Sequence, residues 1–339
     1  EITVDLIALE AKLANVIGVI PGANDSLNNA PVVIGAHYDH LGYGGPASKA
    51  PGVHEIHNGA DDNASGVAAL LDLSARFTKS DKQPERPIVF IAFTGEEIGL
   101  IGSTYYTRHP VYPLKNAIAM LNLDTVGRMK DNSLIIFGSG TATQWPHILN
   151  GLNHKHRLEL VLKPDGSSPS DQAAFFTKNI PVLHFFSGAN EDYHKPSDDV
   201  EKINFSGLMK ITDYVFDVAH YLANRKEPLT FASSTGEKPR HPGAASRGKT
   251  GNRPWLGTVP DFTYQGNDGL KLSGVSAGSP CEKAGLKAGD LITQIDDVEI
   301  KSIYELNHVL QNHKPGDEIK VIYYRDGEKN TVEIVLVER

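Results

Sequence analysis

A chain of 339 residues is longer than one typical hydrophobic core, so the sequence predicts two domains. With 40% hydrophobic and 22% charged residues, the composition is that of the globular class. The formal charge of −8 and the lack of Lys and Arg runs interleaved with aromatic residues argue against a nucleic-acid partner. No apolar stretch approaches the roughly 20 residues that a membrane-spanning helix needs.

The beginning of the chain and its cysteine content leave the compartment open. The sequence begins at Glu1 without Met and without a basic and apolar leader, which is the expectation for a mature form or an excised fragment. The single cysteine, Cys281, has no internal disulfide partner and lies in an Ala, Gly and Pro-rich stretch. We expect it to be a buried, inert thiol.

Short apolar runs alternate with helical patterns over the first two thirds of the chain. The apolar runs, typical of buried strands, are Pro31–Ala36, Ile88–Phe93 and Ala117–Leu123. Apolar residues recur at helical spacing in Asn63–Thr78 and Phe205–Ala223. This alternation predicts a three-layer α/β/α sandwich.

Composition then divides the chain into a first domain over residues 1–225, a flexible linker over 226–252 and a second domain over 253–339. The linker is rich in Pro, Gly, Ser and basic residues. In the second domain, two strand-like runs flank Asp326-Gly327, which predicts a β-hairpin. Residues Ser302–Asn312 have the pattern of a helix.

Polar residues of metal-ligand type follow the strand-like runs and a glycine-rich turn of the first domain. They are His37, Asp61, Glu96, Glu97, Asp124 and His194. Taken singly, each is more often a solvated or hydrogen-bonded residue. Ligands of open α/β sheets collect at the carboxyl ends of the strands, however, so the set predicts a metal site assembled by folding.

The local contexts strengthen this interpretation. Asp39 and Asp198 lie two and four residues beyond the two histidines, where each can hold an imidazole in its ligating tautomer. An N-cap alone would not require the small residues of Gly59–Gly66, which permit close backbone approach. Glu96 and Glu97 are adjacent at a turn, so one can ligate a metal while the other stays free as a base.

The segments GAHYDHLG, GADDNASGVAALL, FTGEEIGLIGS, LNLDTVGR and DYHKPSDDVEKIN, in this order, resemble the metallopeptidases of family M28, the di-zinc aminopeptidases. The resemblance covers about Ala14–Leu222 and implies a mixed central sheet and an exported protein, periplasmic or extracellular. It implies that the carboxylate of Asp61 bridges two metals and that the peptide bond between Asp61 and Asp62 is cis. It further implies that His37 and Asp124 complete one site, that Glu97 and His194 complete the other, and that Glu96 is the general base.

The chemistry of these residues agrees with that assignment. Mixed imidazole and carboxylate ligands suit two Zn²⁺ ions, although Co²⁺ or Mn²⁺ can occupy the same set. Three carboxylates and a bridging hydroxide neutralise the +4 charge of two divalent ions.

Among candidate substrate contacts, Tyr193 ranks first because it immediately precedes His194, whereas Phe185 is more typical of a core residue. Gln172 replaces the His that is more usual in family M28, and His40, His54 and His57 have no matching ligand position.

The second domain resembles a PDZ domain of the bacterial type, through Trp255–Thr258 and the stretch AGLKAGDLI. The resemblance implies a loop at Leu256 and Gly257 that receives the carboxy terminus of an extended peptide. A packing module that only covers the first domain is an equal alternative.

The sequence as a whole predicts a zinc exopeptidase that removes amino-terminal residues of peptides. A glutaminyl cyclase-like or carboxypeptidase-like activity in the same fold is the first alternative. A PDZ adaptor with a silent peptidase domain is the second.

Overall fold

The computed structural model describes residues 12–232, except 46 and 51, and residues 254–338, except 262–263, 265–267, 277, 302–304, 307–308 and 311. The chain divides into two compact units, one lying largely within the first range and one largely within the second. Among the described residues, no helix is long and apolar enough to cross a bilayer.

A seven-stranded mixed sheet forms the centre of the first unit. Its strands are β1 (Val16–Ile20), β2 (Val32–His37), β3 (Ile88–Phe93), β4 (Ala119–Leu123), β5 (Ser133–Phe137), β6 (Glu159–Lys163) and β7 (Val182–Phe186). They are arranged in the order β1-β3-β2-β4-β7-β5-β6. The central strands β3, β2, β4 and β7 are parallel, whereas β1 pairs with β3, and β5 with β7, in antiparallel fashion. The parallel strands therefore end at one edge of the sheet.

Helices cover both faces of this sheet. They are α1 (Gly66–Thr78), α2 (Ile101–Arg108), α3 (Trp145–His156), α4 (Gln172–Phe176) and α5 (Phe205–Asn224). Side chains of α1, α3 and α5 share one core cluster with Ile34 of β2, and side chains of α2 and α4 share the other cluster with Val33. Neighbouring residues of a strand point to opposite faces. The predicted three-layer α/β/α sandwich with a mixed sheet is confirmed.

Helix α1 begins at Gly66, three residues later than its apolar pattern predicted. The backbone of Asp62 and Asn63 is not helical, with φ of −110° and −138°. Gly66 allows the helix to start close to the sheet, because a Cβ there would collide with the carbonyl oxygen of Leu123. The irregular turn before α1 presents its side chains at the carboxyl end of β4.

Within the predicted linker, residues 229–232 contact the first unit. Leu229 is buried with the core, and Phe231 pairs with Ala142 through an isolated β-bridge. Leu229 and Phe231 are thus attached to the first unit although the sequence placed them in the linker, because Pro and basic neighbours masked two apolar anchors. The rest of the predicted linker, residues 233–252, lies outside the described part of the chain.

The second unit is a β-rich domain with its own core. Its elements are β8 (Pro254–Trp255), β9 (Thr258–Pro260), β10 (Leu270–Val275), α6 (Pro280–Lys283), β11 (Leu291–Ile295), β12 (Val298–Glu299), β13 (Glu318–Arg325), β14 (Glu328–Val335) and β15 (Val337–Glu338). The order of the larger sheet is β14-β13-β11-β10-β9. The predicted hairpin is confirmed, with φ of 53° at Asp326 and 85° at Gly327. Cys281 is fully buried, and burial raises the pKa of its thiol to about 12.

Candidate metal centre

The carboxylate of Asp62 lies between two imidazoles from distant parts of the chain. Its Oδ1 is 3.2 Å from Nε2 of His37, the last residue of β2, and its Oδ2 is 3.2 Å from Nε2 of His194. Asp62 is 3% exposed. A carboxylate that offers one oxygen to each side is suited to link two neighbouring cations.

The structure therefore corrects the position expected for the bridging carboxylate, which was Asp61. Oδ1 of Asp61 instead accepts hydrogen bonds from the backbone N–H of Gly127 at 2.6 Å and from the hydroxyl of Ser65 at 3.2 Å. The non-proline cis peptide bond is likewise one residue later than expected, between Asp62 and Asn63. Sequence alone could not resolve two adjacent aspartates, because each has the same side chain and the irregular backbone decides which one faces the histidines.

Two further carboxylates complete the arrangement. Oδ1 of Asp124, one residue after β4, is 3.4 Å from Nε2 of His37. Oε2 of Glu97, in the turn after β3, is 3.2 Å from Nε2 of His194. The structure thus brings together His37, Asp124, Glu97 and His194, as the sequence predicted, with Asp62 in the centre.

The spacing of these atoms fits tetrahedral zinc. Bonds of about 2.1 Å at tetrahedral angles place two ligand atoms about 3.4 Å apart. The distances from Nε2 of His37 to Asp62 and Asp124 are 3.2 and 3.4 Å, and those from Nε2 of His194 to Asp62 and Glu97 are both 3.2 Å. Donor atoms of His37, Asp62 and Asp124 all lie within 4.8 Å of one another. The donor set and its spacing therefore match what zinc requires.

His40 was expected to lie outside the ligand set, and the structure places it against Glu97. Nδ1 of His40 is 2.6 Å from Oε1 of Glu97, and His40, Asp62 and Glu97 form a second group of potential ligands. A separation of 2.6 Å is that of a hydrogen bond and is too short for two ligands of one zinc ion. His40 therefore fixes one oxygen of Glu97 and leaves the other facing His194. The available signal in the sequence was the position of His40, three residues after the ligand-type His37.

Electrostatics in this cluster couple the imidazoles to the carboxylates. Burial alone would raise the pKa of Glu97, but hydrogen bonds from His194 and His40 lower it to about 2. Burial alone would lower the pKa of His194, but Asp62 and Glu97 raise it to about 9. The carboxylates are thus held in the ionised form that a cation requires.

Glu96 differs from its neighbour Glu97. Burial raises the pKa of Glu96 well above its ordinary value, and the nearby charges of Asp124 and Asp171 add to the effect. Its carboxylate belongs to neither group of potential ligands among the described residues. Glu96 is therefore a carboxylate beside the centre that holds a proton more readily than an exposed glutamate.

The roles expected for Asp39 and Asp198 need correction. Nδ1 of His37 contacts the backbone carbonyl of Asp39 at 3.0 Å, whereas the Asp39 carboxylate accepts the backbone N–H groups of Glu96 and Glu97. The carboxylate of Asp198 accepts the N–H groups of Asp61 and Asp62 at 2.9 and 3.0 Å and does not hold the imidazole of His194. Both carboxylates thus bond to the backbone of a turn, and that of Asp39 lies 3.8 Å from Nδ1 of His37, beyond hydrogen-bond distance.

A buried polar layer supports Asp124. Ser170 donates a 2.6 Å hydrogen bond to Oδ2 of Asp124, and Asn122 donates to both Ser170 and Gln172. Gln172 donates to Ser168 in turn. Gln172 thus has a structural polar role, and Oδ1 of Asp124 is left for the centre.

The remaining predicted site residues are placed as follows. The ring of Tyr193 stacks on that of His194, with centroids 3.9 Å apart, and Phe185 is fully buried in the core, as expected. In the second unit, Leu256 is buried and its carbonyl accepts the N–H of Cys281, while Gly257 has φ of 85°. Substrate contact at Tyr193 and peptide binding at Leu256 and Gly257 stay predictions.

Comparison with known proteins agrees with the fold. The sequence profile of Peptidase family M28 matches residues 15–219, and that of the PDZ domain matches residues 257–336. This chain belongs to Peptidase family M28 and carries a PDZ domain after the peptidase domain.

Several relatives are peptidases. Aminopeptidase YwaD of Bacillus subtilis is 31% identical over 207 residues, which are 58% of this chain and 42% of that protein. The crystal structure of a zinc aminopeptidase from Bacillus subtilis matches with a TM-score of 0.52 at 27% identity, covering 65% of this chain and 51% of that one. A serine protease Do-like HtrA of Lactococcus lactis is 43% identical over 68 residues, 20% of this chain and 17% of that protein. The chain spans less than two thirds of the length of each of these relatives.

Proposed function

We propose that this protein is a zinc-dependent aminopeptidase that hydrolyses the amino-terminal peptide bond of peptide substrates. One observation carries the proposal: the Asp62 carboxylate lies between His37 and His194 at the spacing of zinc ligands. Membership of Peptidase family M28 and the zinc aminopeptidase among its relatives support it.

Two zinc ions would be held by five residues. His37 and Asp124 would hold one ion, Glu97 and His194 the other, and Asp62 would contribute an oxygen to each. When bound, a pair of divalent ions supplies Lewis-acid polarisation of the scissile carbonyl and lowers the pKa of a water molecule. His40 and Ser170 would orient Glu97 and Asp124 through the hydrogen bonds described above.

Glu96 would move the proton in this reaction. Its carboxylate would accept a proton from the attacking water as the carbon to oxygen bond forms, and would then donate that proton to the amine nitrogen as the carbon to nitrogen bond breaks. Burial suits this role, because a raised pKa brings a carboxylate nearer to the pH at which it works. Asp39 holds the backbone of Glu96 and Glu97 together, so that one side chain can serve as base while the other ligates.

Preference for the amino terminus is tested with matched substrates. We expect zinc-loaded protein to cleave leucine p-nitroanilide and to leave the N-acetylated form intact, because a free amino group is required. Cyclisation of an amino-terminal glutamine would instead support the cyclase-like alternative, and cleavage at a free carboxy terminus would support the carboxypeptidase-like one. An inert zinc-loaded protein would support the silent adaptor.

The PDZ domain would bind the carboxy-terminal residues of peptides or of partner proteins at the loop containing Leu256 and Gly257. Its sheet and its own core support a binding role as well as the alternative of a packing module. Fluorescence anisotropy with labelled peptides that have free or amidated carboxy termini distinguishes the binding role from the packing role.

We further propose that the protein is exported to the periplasm or the extracellular space. Localisation of the natural protein by cell fractionation tests this proposal.

A further inference from the structure

The guanidinium of Arg128 lies between two carboxylates, each of which is attached to a different side of the candidate metal centre. Nη2 of Arg128 is 2.9 Å from Oδ2 of Asp192, and Nη1 is 3.9 Å from Oδ1 of Asp198. The three side chains are 12%, 7% and 1% exposed. Ion pairs at this depth are weakly screened by solvent, so loss of one partner leaves buried charge.

One of these carboxylates, that of Asp192, holds the loop that contains His194 through hydrogen bonds. Asp192 is two residues before His194, and its Oδ1 accepts hydrogen bonds from Ser197 at 2.7 Å and Lys202 at 2.6 Å. The backbone N–H of Lys195 donates to the carbonyl of Asp192. Asp192 therefore ties the residues on both sides of His194 to Arg128.

The other carboxylate, that of Asp198, holds the turn that contains Asp62 through hydrogen bonds. Oδ2 of Asp198 accepts the N–H groups of Asp61 and Asp62, and its carbonyl accepts the N–H of Ala60. The backbone N–H of Arg128 itself donates to Ser187 at 3.0 Å, just beyond β7. Arg128 is thus attached to the sheet while its side chain reaches both ligand-bearing segments.

We propose that Arg128 is a positioning residue that sets the separation of His194 from Asp62 and thereby the zinc affinity of the half-site formed by Asp62, Glu97 and His194. The inference rests on the proposed function only in assigning those three residues to a zinc ion. The other half-site shares Asp62, but its two remaining ligands, His37 and Asp124, are held by β2, β4 and Ser170, so it depends less on Arg128.

The experiment is a stepwise competition titration of Zn²⁺ against a chromophoric chelator, carried out on the full chain and on Arg128→Met. Substitution of residues that orient metal ligands commonly weakens metal binding 10 to 100-fold. We expect two binding steps in the unsubstituted chain. In Arg128→Met one step should weaken by about 10 to 100-fold and the other should change by less than about threefold.

Two further variants separate positioning from general damage. Arg76→Met is a matched control, because Arg76 also contacts two carboxylates, those of Asp72 and Asp213, away from the centre. Its two zinc affinities should stay within about twofold of the unsubstituted chain. Arg128→Lys keeps the charge but not the fork that spans two carboxylates, so its affinity should be intermediate. Arg128→Lys also replaces Arg128→Met as the test variant if Arg128→Met does not fold.

Equal weakening of both steps, or no weakening in a folded variant, would overturn the proposal, as would a single zinc step in the unsubstituted chain. The titration uses no substrate, so its outcome is separate from the proposed activity. A chain that binds two zinc ions but cleaves no aminoacyl substrate would contradict the proposed function and leave this inference standing.

Discussion

His37 and His194 contact opposite oxygens of one carboxylate, with each Nε2 atom 3.2 Å from an oxygen of Asp62. His37 ends a central strand, whereas His194 lies in a loop beyond β7. Only the folded chain brings them to a common neighbour. This relationship identifies Asp62 as the residue on which both halves of the proposed zinc site depend.

Asp62→Asn should therefore disturb both ions, because an amide offers one neutral oxygen in place of two anionic ones. We expect Asp62→Asn to lose at least one zinc ion per chain and most of its activity. The matched control is Asp61→Asn, whose amide oxygen can still accept from Gly127 and Ser65. Elemental analysis after removal of free metal checks both variants, and full zinc retention by Asp62→Asn with loss from Asp61→Asn would reverse the assignment.

Glu96→Gln should separate proton transfer from metal binding. The amide keeps the shape of the side chain but cannot accept the proton, so kcat should fall by roughly 10² to 10⁴ with little change in KM. Zinc content should not change. Glu97→Gln should instead lose zinc and recover part of its activity in excess zinc, because one anionic ligand is replaced by a neutral one. Zinc loss from Glu96→Gln alone would show that the two roles are exchanged.

His40→Ala should weaken zinc binding without removing a ligand. Loss of its hydrogen bond to Oε1 frees the Glu97 carboxylate to rotate, and we expect zinc affinity to fall by about 10 to 100-fold. At saturating zinc, kcat should return to within a few-fold of the unsubstituted value. His54→Ala is a suitable control, since His54 is exposed and stacks on Tyr43. A kcat that stays low at saturating zinc would place His40 in direct contact with the metal or the substrate.

Most of the framework could be predicted from the sequence, because it depends on patterns of local composition. The strand β3 matches its apolar run residue for residue, and the Asp-Gly hairpin follows from two residues that tolerate positive φ. Which of Asp61 and Asp62 faces the histidines depends instead on a non-helical turn. The N–H groups of this turn bond to Asp198, which is 136 residues away from Asp62. Long-range contacts of this kind, like those of Arg128, leave no periodic signal.

The end of the first unit provides a test of stability. Chains that end at residue 232 retain Leu229 and Phe231, whereas chains that end at residue 225 lose both. Leu229 is 8% exposed, and loss of a buried leucine side chain typically costs about 2 to 5 kcal/mol. We expect the shorter chain to unfold at lower urea concentration, and the longer one to remain active on dipeptides. Equal midpoints would mean that residues 226–232 add no stability.

Metal dependence of amino-terminal hydrolysis tests the proposed function most directly. Zinc per chain and the hydrolysis rate of leucine p-nitroanilide are measured on one sample as purified, after exhaustive chelation and after zinc is restored. We predict two zinc ions per chain, a rate that disappears with chelation, and recovery that follows occupancy of the second ion. A folded protein that binds two zinc ions but hydrolyses no substrate of an aminoacyl panel, or one whose rate survives complete removal of metal, would contradict a zinc aminopeptidase.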